Sequence, residues 1–561
     1  MRMKKLLPWL VAGMLLLTAC HPASPASKTP EPQTTTGTAA GTTTGTEPDT
    51  TIGTDPGTAT DTAPESDSRP TAGTEPSDSE PPDTTAPVTR PTGPAGPAEE
   101  IRPKGNTAIL MNPMTGGADA KGEALRQEIL GARDELKITG KTYYISPTGD
   151  DFNTGTSPQE AWQTLDSLLL NGYLFEEGDA VLLERGGIYR MDSPIQVKSG
   201  LTYGAYGSGE KPAIYGSSQN YAQEGLWTPS NKKYVWKLSL PLEDAGIVVF
   251  NHGEAVGDKK DGLLQVKKNG DFYHNTTDSV LYLYLDSGLP NVVYKDIEIG
   301  VHKPIFNILD GIRDVVIDNI CMKYTGTFGV RATGDNSHIT VTNCEIGWIG
   351  GSLQSPGIRY GNGIQFYDAA SDIVVRNCWI YQSYDAGLTF QGMPKNNYER
   401  IWFENNLLEY NSYNFEFFTD GLRGQEYVKA EQMHMHDIYL QNNIMRFAGY
   451  GWGSQRPDPT SEAHITGWQK CYEGMKNFNI KNNIFDVSTR NAVIWYWSDN
   501  YPAVQVGLNV SGNSFYEKAG PTDAAIYFSN AGAKTATNQK ELEEAVAVFD
   551  ASPREVRWLS R

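Results

Sequence analysis

IKNNIF (480–485) is one of seven versions of a single phrase. IDNICM (317–322), VTNCEI (341–346), VRNCWI (375–380), FENNLL (403–408) and LQNNIM (440–445) precede it, and VSGNSF (510–515) follows. Its third place holds Asn319, Asn343, Asn377, Asn405, Asn442 and Asn482, then Gly512, at spacings of 24, 34, 28, 37, 40 and 30. A floor near two dozen with irregular excess marks stacked units whose insertions leave from one side. Each phrase is short, alternating and rich in β-branched or aromatic residues, so it reads as strand.

A second strand follows in most units: GVRAT (329–333), GIQFY (363–367), GLTFQ (387–391), NFEFF (414–418), AVIWY (492–496) and AAIYF (524–528). Asn turns such a chain because it tolerates left-handed geometry, and its side-chain amide ladders with copies above and below. The expected fold is mainly β: a right-handed parallel β-helix with a small β insertion and terminal helices. Leucine-rich repeats need a Leu consensus that is absent. VWKLSL, GIVVFNHGE and VLYLYL within 220–300 predict the β insertion. Helices are expected at 118–136, near the N-terminal end, and at 538–549, covering the last coil.

TYYISPTGDDFNTGTSPQEAWQTLDSLL (142–169) and GDAVLLERGGIYR (178–190) resemble the opening of the pectin-lyase-like group of right-handed parallel β-helix proteins. That resemblance implies the fold and a polysaccharide or oligosaccharide partner. It does not choose among hydrolase, lyase, epimerase and binding protein. The GDDFNTG turn suits either calcium or a purely structural role; no other cofactor is expected.

The ends read differently. MRMKKLLPWLVAGMLLLTAC has a basic start, an apolar run and then Leu17-Thr18-Ala19-Cys20, which resembles the lipobox of bacterial lipoproteins. Cys20 is then the lipidated residue, and the chain sits on the extracytoplasmic face of a bacterial membrane; an ordinary signal peptide is the alternative. The organisation expected is a signal at 1–20, a disordered Thr/Pro/Gly-rich linker at 21–103 and an N-terminal helix with the first coils at 104–219. The β insertion at 220–300, the core at 301–534 and a cap at 535–561 follow. Residues 21–98 carry eleven acidic side chains against Lys28, Arg69 and Arg90, so much of the net charge of −20 is linker. Nucleic acid is an unsuitable partner, and a monomer is expected. Cys321, Cys344, Cys378 and Cys471 show no zinc spacing and read as buried, unpaired residues stacked between coils, with a disulfide as the alternative.

Alternation fixes the candidate site. Placing Ile364/Phe366, Leu388/Phe390, Phe415/Phe417 and Val493/Trp495 inward leaves Gln365, Thr389 and Glu416 in one outward column and Tyr367, Gln391, Phe418 and Tyr496 in the next. GYGWGSQRPDP (449–459) continues the frame if Trp452 points in, which sets Gly453 beside Glu416 and Gln455 beside Phe418. Glycoside hydrolysis uses two carboxyl groups. Glu416 is the leading candidate, with Asp385, Asp420 or Asp458 as partner. The insertion bearing Arg456, Asp458, His464 and Trp468 is expected to hang over this groove, with Arg456 clamping a carboxylate and His464 acting as acid or base. Solvated loop residues are the alternative reading. His434 and His436 share an edge without a third metal ligand, so no metal site is assigned. A surface-anchored glycoside hydrolase is the first expectation; a polysaccharide lyase and a non-catalytic glycan-binding lipoprotein are the others.

Overall fold

The computed structural model describes residues 114–133, 136–392, 397–419, 434–456, 462–467, 475–495, 507–520, 524–528 and 532–560. Within them the chain winds as a right-handed parallel β-helix of three-faced coils. The first face includes Ala386–Gly392, Tyr413–Thr419, Ala463–Gly467 and Asn491–Trp495; the second includes Asn397–Glu404, His434–Gln441 and Met475–Lys481. In Val330–Thr342 and Ile364–Arg376 one continuous strand supplies both. The third face runs through Cys321–Thr325, Glu345–Ile349, Trp379–Ser383, Leu407–Glu409, Ile444–Ala448, Ile484–Ser488 and Ser514–Glu517, all parallel.

The repeated phrase is the corner between the second and third faces. Asn319, Asn343, Asn377, Asn405, Asn442 and Asn482 all have φ between +50° and +58°, and Gly512 has +70°. Each Asn lies midway between two more left-handed residues five positions away: Asp314 and Tyr324, His338 and Trp348, Asp372 and Gln382, Arg400 and Tyr410, Asp437 and Phe447, Asn477 and Val487. A non-glycine residue in this region is uncommon and a β-branched one such as Val487 is an outlier, so packing imposes these conformations.

The residue after the corner forms the buried ladder. The backbone N–H of Asn406 donates to Asn443 Oδ1 (3.0 Å), that of Asn443 to Asn483 Oδ1 (3.0 Å) and that of Asn483 to Asn513 Oδ1 (2.9 Å). Each amide also caps a carbonyl of the preceding coil, as Asn443 Nδ2 does to Phe403 O at 2.8 Å. Cys344 and Cys378 occupy the same column lower down, both buried and free, with thiols directed at Ile317 O and Val341 O. Cys321 is also buried and in no disulfide; Cys471 lies outside the described residues.

Residues 220–300 contain two small sheets. A five-stranded sheet includes Trp227–Pro229, Val235–Ser239, Asp271–Asn275 and Val280–Tyr284, and Ala245–Phe250 pairs with Ile297–Val301. The C-terminal helix, Gln539–Phe549, buries Leu542, Ala545, Val546 and Phe549 against the last coils, covering the open end as expected. The N-terminal helix departs from expectation. It spans Asp119–Gly131 and lies across the outside of the third face, from Asp486 toward Tyr215 and Cys321, and not at the end of the stack. Beneath it Arg446 pairs with Asp119, with Glu409 (3.3 Å) and with Asp486 (3.1 Å), while Arg126 reaches Glu409 at 2.6 Å. These partners come from three successive coils, so the helix fastens them together.

Asn443→Leu removes an amide from the ladder and strands the Asn406 N–H and Phe403 carbonyl. Urea unfolding is expected to show a loss of roughly 1–3 kcal/mol for each buried group left unpaired. Asn442→Gly, one residue earlier at a left-handed corner, is expected to be nearly neutral. Equal losses at the two positions would contradict the ladder's role.

Candidate functional site

The first face carries the candidate site. Ile364, Phe366, Leu388, Phe390, Phe415, Phe417, Val493 and Trp495 are buried in the main core, so the alternate residues face out. Cross-strand register sets Gln365 opposite Thr389, Thr389 opposite Glu416, and Glu416 opposite Thr466. Below Gln365 the column continues through Arg331 and Asn307. Arg331 lies in GVRAT, where alternation alone would have found it.

This outward column is not a solvated surface. Glu416 is 6% exposed, Gln365 7%, and Thr389 0%. Amides link its lower part: Asn362 Nδ2 donates to Gln365 Oε1 (2.7 Å), as does Gln391 Nε2 (3.0 Å), and Arg331 Nη1 donates to Asn307 Oδ1 (3.2 Å). The Thr389 hydroxyl, between Gln365 and Glu416, is buried without a hydrogen-bond partner. A buried donor left unmade is costly. Tyr367, half-buried, and Gln391 begin the second column. Phe418 follows in backbone register, its side chain outside the described residues.

Several expected neighbours stand elsewhere. The strand above Glu416 is Ala463–Gly467, not GYGWGSQ. Trp452 lies outside the coil core against Tyr384 and donates through its indole to Gln382 O (2.7 Å). A Cβ on Gly453 would fall 2.3 Å from Ser412 Oγ, so this glycine permits close packing at a corner and opens no space over Glu416. His464 is not in an overhanging loop. It sits in the strand in register between Ala463 and Ile465, fully buried, with Nδ1 2.9 Å from Asn414 Nδ2 and its ring on Phe485. The reason lies in its column. Gly329, Gly363 and Gly387 precede it in the stack, and a Cβ at Gly329 or Gly363 would point at Ile346 or Ile380, inside the corner. Burial pushes His464 down to about 3, which leaves it neutral and out of reach of a groove ligand.

Asp385 and Arg456 are brought together as an ion pair at the edge of the first face. The Arg456 guanidinium lies 5.5 Å from both the Tyr384 and Tyr413 rings, and Arg359 approaches Tyr384 at 5.9 Å. Asp385 precedes Thr389, the register partner of Glu416, by four residues, roughly 13 Å along an extended chain. That backbone offset is longer than the usual carboxyl separation of a glycosidase pair. At the same edge Tyr360 packs between His302 (5.1 Å) and Phe328 (5.4 Å); sequence reasoning missed this cluster because its members come from three separate segments. Asp420, Asp458, Trp468, Tyr496 and Cys20 lie outside the described residues. Residues 350–361 and 449–456 lie beside this face, and residues 420–433, 457–461, 468–474 and 496–506 lie outside the described residues.

In the GDDFNTG turn, Asp151 accepts from Gln163 N, Thr164 N, Thr164 Oγ1 and Ser167 Oγ at 2.6–2.8 Å. Its oxygens are thus used by the chain, which favours the structural role over calcium. His434 and His436 have ring centroids 5.0 Å apart, and among the described residues no group of three His, Cys, Asp or Glu converges as a metal site.

No family model and no curated protein matches the chain. Among solved structures it is similar to a glycoside hydrolase, at 10% identity over 75% of this chain and 96% of that one, with a TM-score of 0.38. It is also similar to the GH136 lacto-N-biosidase of Eubacterium ramulus, at 15% identity, 71% and 57% coverage and a TM-score of 0.39. A family 28 exopolygalacturonase of Yersinia enterocolitica gives 12%, 70%, 67% and 0.32.

His464 supplies a pH test. Its folded pKa is depressed to about 3 from 6.5, so the unfolded chain binds a proton that the folded chain refuses. Stability from this group is complete above about 6.5 and is lost as pH falls toward 3. Unfolding midpoints measured at pH 7 and pH 4.5 are expected to lie closer together in His464→Gln than in the wild type. An unchanged difference would contradict a neutral, buried His464.

Proposed function

We propose that the chain is a glycan-active protein, a glycoside hydrolase in which Glu416 is a catalytic carboxyl, tethered outside a bacterial membrane through lipidated Cys20. The observation that carries this reading is the outward column: a carboxyl between Thr389 and Thr466, above an amide pair at Gln365 and Gln391, on a parallel β-helix. A sugar ring offers hydroxyl edges and apolar faces. Amides and the unpartnered Thr389 hydroxyl suit the edges, and Tyr367 suits a face.

Glu416 projects from a rigid strand held by Phe415 and Phe417, the placement a proton-transfer group needs. As acid it protonates the leaving oxygen, and a second carboxyl acts as base or nucleophile from the other side of the ring. With Asp385 held by Arg456 at a distance, we assign that second role to Asp458, two residues beyond Arg456. The Asp385–Arg456 pair then anchors residues 449–456 at the edge of the first face and takes no part in proton transfer. The non-catalytic reading has one specific support: among the described residues of the outward column Glu416 is the only carboxylate.

Glu416→Gln preserves shape and removes the ionisable group. Turnover, measured as reducing ends released from a polysaccharide panel, is expected to fall by about 100-fold or more while glycan affinity is retained. Full activity in the variant would eliminate Glu416. Release of unsaturated uronates would point to a lyase, and wild-type binding without any turnover would identify a binding protein.

A further inference from the structure

The 220–300 insertion carries a feature that the groove does not use. In its five-stranded sheet, Phe272, Leu281, Leu283, Leu238 and Trp227 pack into the insertion's own core. The opposite face of the same strands presents tyrosine. Tyr273 pairs across strands with Tyr282, and Tyr282 with Lys237, which in turn faces Thr228. The Tyr273 and Tyr282 rings are nearly parallel, 13° apart with centroids at 6.4 Å. Tyr284 shares the face, two residues from Tyr282, and meets Tyr234 edge-on at 6.0 Å. Tyr273, Tyr282 and Tyr284 are half-buried, and Tyr234 is 42% exposed.

This row leads to the groove edge. Lys259 pairs with Phe272, so Lys260 falls alongside Tyr273, where it bonds to Asp258 and Asp271. Asp261, the next residue, lies 3.7 Å from Arg359, and Arg359 reaches the Tyr384 ring beside Asp385. Lys259 itself pairs with Asp244, whose other contact is Leu353 N, so the insertion is locked to the 351–359 hairpin. The tyrosine row and the first-face edge are thus joined by a short chain of contacts through Lys260, Asp261 and Arg359.

We infer that this tyrosine face is an accessory binding platform for an extended glycan chain, gripping units beyond those seated over Glu416. Tyrosine is well matched to such a ligand, because its ring covers the apolar face of a sugar while its hydroxyl stays wet to meet the sugar's edge. Lys237, Thr228 and Asp258 supply polar groups around the rings. The platform rests on the glycan reading of the groove and adds that the ligand is a polymer and not a short oligosaccharide. A second contact on the same chain raises apparent affinity without altering the first site.

The test uses the full chain and whichever polysaccharide in a panel of xylan, galactan, β-glucan and polygalacturonate it binds most tightly, with two- and three-unit oligosaccharides of the same glycan. Tyr273→Ala/Tyr282→Ala, and Tyr282→Leu as a variant that keeps apolar bulk, are compared by calorimetry after matching circular dichroism. Affinity for the polymer is expected to drop about tenfold, with the oligosaccharide affinity and Glu416-dependent turnover unchanged. Wild-type polymer affinity in both variants would overturn the platform and leave the groove standing. A parallel drop for the oligosaccharides would place the tyrosines in the groove itself and also overturn it. Failure of the wild-type chain to bind any of the glycans would remove the groove and the platform together.

Discussion

The buried amide ladder running from Asn406 through Asn443 and Asn483 to Asn513 is the constraint on which the coils depend. Every coil must turn three times within a short stretch, and each turn exposes backbone groups that no strand pairing can satisfy. Asn answers both ends of the problem at once. Its oxygen accepts an N–H from the coil below, and its amide nitrogen caps a carbonyl of that same coil. The ladder ends on Asp550, whose carboxylate accepts from Asn513 N and Nδ2, so the C-terminal cap completes the hydrogen bonding as well as the apolar cover.

With the corner fixed, the register of the faces follows, and with the register the site. A slip of one residue would turn Glu416 into the core and Phe417 out to solvent. The aromatic stack of Phe390, Phe415, Phe417, Phe478 and Trp495 opposes such a slip, since these rings contact one another across four coils. Gly467 belongs to the same arrangement: a Cβ there would meet the Phe417 ring at 2.7 Å. The rigidity of the interior is what holds the outward column in place.

The fold and most of the column were legible because both rest on short periods: a six-residue phrase for the corner and strict alternation for the face. The left-handed corners at Tyr324, Trp348, Gln382, Tyr410, Phe447 and Val487 were not, since those residue types disfavour the conformation and only tertiary packing selects it. GYGWGSQ misled because its apolar spacing imitates a strand, while Trp452 actually covers the third face from outside. His464 misled because its segment reads as part of an overhanging insertion, whereas Ala463–Gly467 is the coil strand next to Glu416. The N-terminal helix was found, but its contacts with Glu409, Arg446 and Asp486 lie 283 to 368 residues away in sequence, beyond any local pattern.

On this reading Gln365, Thr389 and Glu416 form one outward ligand-facing column. A crystal structure of the Glu416→Gln chain soaked with a bound oligosaccharide tests it most directly. Sugar density is expected along the first face, with the Thr389 hydroxyl bonded to the ligand and residue 416 beside a glycosidic oxygen. Density confined to another face, or a side chain at 416 turned into the coil core, would contradict it.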